Sequence, residues 1–166
     1  MALLIPDLVC KTVYEIPIKY FTDKGIRLLL LDIDNTLVTY DDEYPTEENK
    51  KWFKLVADNG IDIVFISNNK EDRVKKYAEK TGYCYYAGAS KPRIKYYREA
   101  MRKRKLEPNQ CAAVGDQIFT DVLAAHFAGC PAVFVYPIKD KQSVFFKLKR
   151  KLEIPFLALY LHRNKK

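Results

Sequence analysis

Two aspartates one residue apart, Asp32 and Asp34, stand at the end of the apolar run in "LLLLDIDNTL". Two more, Asp116 and Asp121, follow a second apolar run in "AAVGDQIFTD". Converging carboxylates repel each other without a cation. A set of hard oxygen ligands with neither His nor Cys selects Mg2+, an ion that keeps several waters and borrows phosphate oxygens. Between these acids lies "SNN", where Ser67 and Asn68 offer a hydroxyl and an amide near a helix start whose free N–H groups favour an anion. Next comes "GASKPR", where Lys91 offers a point charge to a phosphate. Each feature also has a plainer reading: Asp and Asn open loops after strands, Ser67 is an ordinary helix cap, and one lysine among many is solvated surface.

The elements that must position these residues are legible. From residue 28 onward, short apolar runs alternate with helical patterns, the sign of βαβ units and a parallel sheet covered on both faces. "RLLLLD", "IDIVFIS", "CYYA", "CAAVGD" and "PAVFVYP" read as five strands, nearly continuous in hydrophobicity as doubly buried strands are. Between them, "TEENKKWFKLVADNG" begins at a Thr46 cap and ends at Gly60, and "KEDRVKKYAEKTG" ends at Gly82. "RIKYYREAMRKRK" puts Ile94, Tyr97 and Met101 on one stripe, and "FTDVLAAHFAG" ends at Gly129, with His126 a packing or capping residue. In such a sheet the ligand site lies beyond the carboxyl ends of the strands, where connections diverge. Asp32 and Asp116 are delivered there. The first 25 or so residues read as short helices packed beside the sheet.

Composition bounds the rest. The chain has 166 residues, 48% hydrophobic and 13% aromatic, enough for one core, and we expect a single domain over 1–166. Cys10, Cys84, Cys111 and Cys130 lie far apart without a CxxC pair, which predicts reduced, packed thiols. No signal-peptide pattern opens the chain, and no run is long enough to span a membrane, so a cytoplasmic protein is expected. The formal charge of +8 favours anionic partners: a phosphorylated substrate, an anionic membrane surface or a nucleic acid.

Taken in order, "DIDNT", "SNN", "KP" and "GDQIFTD" resemble the four motifs of the haloacid dehalogenase-like phosphohydrolases. The whole chain, "LIPDLVCKTVYEI" at its front included, is similar to the YqeG family of subclass IIIA phosphatases, relatives of the phosphatidylglycerophosphate phosphatases. The resemblance implies an α/β, Rossmann-like three-layer sandwich with a central parallel sheet of about five strands, its first and fourth strands adjacent. It also implies a phosphomonoester hydrolase working through an aspartyl phosphate. Asp32 would be the nucleophile and Asp34 the acid/base. Ser67, Asn68 and Lys91 would hold the phosphoryl group. Asp32, the Asp34 backbone carbonyl and Asp116 would hold Mg2+, with Asp121 orienting Lys91 or a metal-bound water. The stretches between Asp34, Ser67 and Lys91 are already filled by helices and strands, so no cap domain fits. An uncovered site admits a large substrate, and the family resemblance and basic tail favour phosphatidylglycerophosphate. A small phosphorylated metabolite is the alternative.

The tail, about 138–166, predicts a helix near 141–153. Val144, Phe145, Leu148 and Leu152 fall on one side, and Lys147, Lys149, Arg150 and Lys151 crowd the remainder, a pattern suited to peripheral contact with an anionic membrane. Docking of the same stripe on its own domain is the plainer reading. A third reading is a non-catalytic basic module that binds RNA or ribosomes, against which the intact set of acids stands.

Overall fold

The runs "LLLL", "DIVFI" and "CAAVG" have no polar face, and they become inner strands that need none. A computed structural model describes residues 3–139 and 144–163, with side chains of the second stretch from residue 147. Its strands are β1 (Leu8–Cys10), β2 (Leu28–Leu31), β3 (Asp62–Ile66), β4 (Cys84–Tyr86), β5 (Cys111–Gly115) and β6 (Ala132–Val135). They form one six-stranded sheet in the order β1-β6-β5-β2-β3-β4, parallel at every pairing.

Alternate residues of each strand feed two cores. Leu29 and Leu31 join the side chains of α1 (Ile18–Thr22), α2 (Glu47–Asp58) and α3 (Glu71–Glu79) on one face. Leu28 and Leu30 join those of α4 (Lys95–Arg104), α5 (Leu123–Ala128) and α6 (Val144–Arg163) on the other. Each central leucine is fully buried, which stabilises by about 2 kcal/mol apiece. Thr46 caps α2 as expected: its Oγ accepts from the Asn49 N–H at 3.1 Å, and Asn49 Oδ1 accepts from the Thr46 N–H at 3.0 Å. Among the described residues no separate cap is inserted.

The chain leaves β2 through α2 on one face and leaves β5 through α5 on the other. Because β2 and β5 are paired, with Leu31 opposite Val114, their connections diverge and open a crevice at their carboxyl ends.

Three expectations are corrected. The front segment, read as helical, contains a sixth strand: Leu8–Cys10 pairs with Val133–Val135 at the sheet edge, and only Val13–Glu15 and Ile18–Thr22 are helical turns. Three half-buried residues carry too little periodicity to announce a strand whose partner is 125 residues away at Leu8↔Val133. The tail helix does not stop before Pro155 but continues to Arg163. Proline there removes one backbone donor, while Phe156 and Leu157 pack against the second core and the Phe156 ring meets Phe119 edge-on at 5.9 Å. The Val144 and Phe145 side chains lie outside the described residues. Cys111 and Cys130 are buried and Cys10 is half-buried, but Cys84 is exposed; all four are free.

Candidate active site

Asp32 begins where β2 ends, its N–H still bonded to the Val114 carbonyl at 3.0 Å. The chain then turns through Asn35, at φ 67°, a left-handed conformation that asparagine tolerates better than most residues. The turn closes with the Asn35 N–H on the Val38 carbonyl at 2.6 Å. It returns Thr36 to Asp32, whose Oδ2 accepts from the Thr36 hydroxyl at 3.1 Å.

Asp32 Oδ1 accepts from Lys91 Nζ at 2.7 Å. The same ammonium donates to Asp121 Oδ1 at 2.6 Å and to the Ile66 carbonyl, at the end of β3, at 2.8 Å. All three of its donors are used, and the side chain is almost fully buried. Asn68 fixes the backbone behind it, Oδ1 accepting from the Lys91 N–H at 2.6 Å. Ser67 Oγ accepts from the Asn69 N–H at 3.0 Å.

Asp34 is turned away from this cluster. Its Oδ1 accepts from Arg73 Nη2 at 2.9 Å and Nε at 3.2 Å, and its Oδ2 from Asn69 Nδ2 at 3.1 Å. Arg73 lies on the first turns of α3, so the carboxylate after β2 is held by the element after β3.

Asp116 follows β5 and is fully buried. Arg150 of α6 donates to its carboxylate and to its backbone carbonyl. Asp121 sits in a π-helical turn, Ile118–Val122, that leads into α5. Its Oδ2 accepts from the Gln117 N–H and the Thr120 hydroxyl, each at 3.2 Å. Glu153 of α6, also buried, accepts from the Ile118 N–H at 2.9 Å and from Arg150 Nη1 at 2.9 Å.

A cavity of about 360 Å3 opens here, and Asp32, Asp34, Ser67, Asn68, Lys91 and Asp121 all line it. Asp116 lies beside it, with a carboxylate oxygen within 4.8 Å of those of Asp32 and Asp121. Burial pushes the Asp32 carboxyl up to about 8 despite Lys91, and Asp121 and Asp116 add to the rise. Burial likewise pushes Asp116 up to about 7 despite Arg150. Asp32 and Asp116, raised in this way, are short of positive charge, and with Asp121 beside them they make an oxygen-only set compact enough to fit a hard divalent cation. The Asp34 carboxylate lies outside that set, and Asp121 lies inside it.

Sequence reasoning missed Arg73, Gln117 and Thr120, and it noted Asn69 only as the second amide of "SNN" without a role. Asn69 adjoins the quoted Ser67 and Asn68, whereas nothing local marks Arg73 among its charged neighbours. Lys149 and Arg150 were read as outward basic residues of the tail. The structure corrects this for Arg150, which faces Asp116, and for Lys149, which lines the cavity.

A family model described as a haloacid dehalogenase-like hydrolase matches residues 23–129. The chain is 30% identical over 154 residues to the probable phosphatase YqeG of Bacillus subtilis (strain 168), covering 93% of this chain and 90% of that one. Solved structures with a similar fold include the cobalt-bound deoxy-D-mannose-octulosonate 8-phosphate phosphatase of Haemophilus influenzae, with TM-score 0.51, 15% identity, and 82% of this chain and 90% of that one covered. Another is the 3-deoxy-D-manno-octulosonate 8-phosphate phosphatase of Yersinia pestis, with TM-score 0.53, 17% identity, and 84% and 85% covered. The match spans β2 to α5, the elements that carry all four acids, and the chain belongs to the haloacid dehalogenase-like hydrolases, as a phosphatase of that family.

Proposed function

We propose that this phosphatase is a Mg2+-dependent phosphomonoester hydrolase that acts through an aspartyl phosphate on a large substrate, with phosphatidylglycerophosphate at an anionic membrane surface the best candidate. The observation that carries the chemistry is the bridge of Lys91 between Asp32 and Asp121, beside Asp116, at the end of the central strand.

Asp32 is the nucleophile: one of its carboxylate oxygens, which Lys91 and Thr36 hold in place, forms the bond to phosphorus as the ester oxygen leaves. Asp34, two residues on and lining the same cavity, gives the leaving oxygen its proton and then takes one from the attacking water. Arg73 and Asn69 set its orientation. Ser67, Asn68 and Lys91 surround the transferred group, with Lys91 held by Asp121. Asp32, Asp116 and the Asp34 backbone carbonyl hold Mg2+, which supplies charge neutralisation for the phosphoryl oxygens.

The substrate reading draws support from three features. No cap covers the cavity among the described residues. On α6, which borders it, Leu148, Leu152, Ile154 and Leu159 are exposed beside exposed Lys147 and Lys151. The chain carries +8. Among the described residues no helix is long and apolar enough to cross a membrane, so contact would be peripheral.

The test is phosphate release from p-nitrophenyl phosphate with and without Mg2+, then from phosphatidylglycerophosphate in mixed micelles. Release that requires Mg2+ and is lost in chelator is expected. Undiminished release in chelator overturns the metal assignment, and a lipid rate no higher than that of the aryl ester overturns the substrate.

A further inference from the structure

Among the described residues, the transferred phosphoryl group accounts for Lys91, and Arg73 and Arg150 are each committed to a carboxylate. One cation of the cavity wall is left without such a partner. Lys149 lines the cavity from α6, half-buried, and its described hydrogen bond runs to the neutral Gln117 Oε1 at 2.5 Å. An ammonium has three donors. Desolvation lowers the Lys149 amine from its ordinary value, with Glu153 opposing.

The position of Lys149 is built rather than incidental. On one side of it Arg150 grips Asp116, and one turn on Glu153 accepts the Ile118 N–H. Phe156 and Leu157 then seat the helix on the second core. A side chain on a helix fixed at three levels cannot swing freely into solvent, and holding a cation half out of water costs free energy that an anion would recover.

We propose that Lys149, with Gln117 beside it, forms a subsite for a second anionic group of the substrate, separate from the phosphomonoester that is cleaved. The inference rests on the phosphatase reading and deepens it: the preferred substrate is at least doubly anionic, with its second charge in the same cavity. That second group is a phosphodiester in a lipid headgroup or a second phosphate in a soluble bisphosphate, and both present the same acceptor oxygens.

Two matched pairs of substrates distinguish these sources, with kcat and KM measured for each member. One pair is propanediol bisphosphate against propanediol monophosphate. The other is phosphatidylglycerophosphate against phosphatidic acid in the same mixed micelles. The wild-type enzyme is expected to prefer the doubly anionic member of at least one pair, and the pair that shows it identifies the source. Lys149→Gln is expected to reduce that preference by about tenfold or more, mainly through KM, and Lys149→Arg to retain most of it. Lys149→Met, which keeps the aliphatic stem, replaces the Gln variant if the latter does not melt cooperatively. A preference within twofold of wild type in the folded variant overturns the subsite, as does a wild-type enzyme that hydrolyses both members of both pairs equally well. Phosphate release from none of the four overturns the phosphatase reading, and this inference with it.

Discussion

A methyl group on Gly115 would stand 2.3 Å from Cγ of Asp121. The last residue of β5 and the turn before α5 pack that closely, and Asp121 reaches Lys91 across the space that the absent side chain leaves. Gly115→Ala forces the two apart. Overpacking of this kind costs about 1–3 kcal/mol, read as a lowered melting temperature. Displacing Asp121 also frees the ammonium it holds, so kcat is expected to fall about a hundredfold. An alanine variant with wild-type kcat contradicts the assignment of Asp121 as the residue that positions Lys91.

Asp32→Asn keeps the shape of the side chain and removes the carboxylate that the proposed mechanism uses as its nucleophile. Turnover is expected to fall by about a thousandfold or more, with cooperative melting retained. Asp34→Asn is expected to keep some phosphoenzyme formation from an aryl ester, whose leaving group needs little protonation, while release of that phosphate slows. Rapid-quench measurement of the phosphoenzyme separates the two variants, and turnover by Asp32→Asn above a few per cent of wild type contradicts its role.

Removing Arg150 leaves two buried carboxylates, Asp116 and Glu153, without their shared cation. Arg150→Met is expected to destabilise the protein by about 3 kcal/mol in urea unfolding, the range for breaking a mostly buried pair. It also loosens α6 from the crevice, so limited proteolysis is expected to cut near α6 sooner than in wild type. Equal unfolding midpoints contradict the view that this contact seats the helix.

His126 predicts a pH dependence. Its Nδ1 faces the Leu3 carbonyl at 2.8 Å and its Nε2 the Asp7 carboxylate at 2.9 Å. Both partners accept, so only the imidazolium satisfies both. Burial opposes the charge, but the bonds to Asp7 and Leu3 raise His126 above its ordinary value. Burial also opposes the Asp7 carboxylate, and the bonds from His126 and the Ala132 N–H hold it below its ordinary value. The raised imidazole contributes stability that is full below about pH 6.5 and is lost as pH rises through its folded value. The lowered carboxyl contributes stability that is present above its ordinary range and is lost as pH falls through its depressed value. Unfolding midpoints measured across pH should therefore decline on the alkaline side in wild type, and His126→Gln should flatten that decline. An identical alkaline slope in both proteins contradicts the pairing.

The inner sheet was legible because strands buried on both faces must be apolar throughout, and because an acid that ends such a run has few structural reasons to be there. Asp32 and Asp116 stood out on those grounds, whereas Lys91 was marked only by its place before Pro92 in the loop after a strand. Arg73 and Lys149 did not stand out, since their neighbours in sequence are equally charged and only tertiary packing selects which charge turns inward. The edge strand Leu8–Cys10 was hidden for a similar reason: it takes its conformation from β6, and Asp7, which anchors it, looks in sequence like any loop acid.

The pairing order of the sheet also has a consequence for biosynthesis. β2 leaves the ribosome early, with Asp32 at its end, yet one of its edges stays bare until β5 has been made, since Leu28 pairs with Cys111. β1 emerges earlier still and pairs only with β6. Neither partnership can form locally, and closing loops of that length makes for slow assembly. A nascent chain that ends before β5 therefore displays one unpaired edge of its leucine strand, and an Asp32 beside a Lys91 that Asp121 does not yet hold.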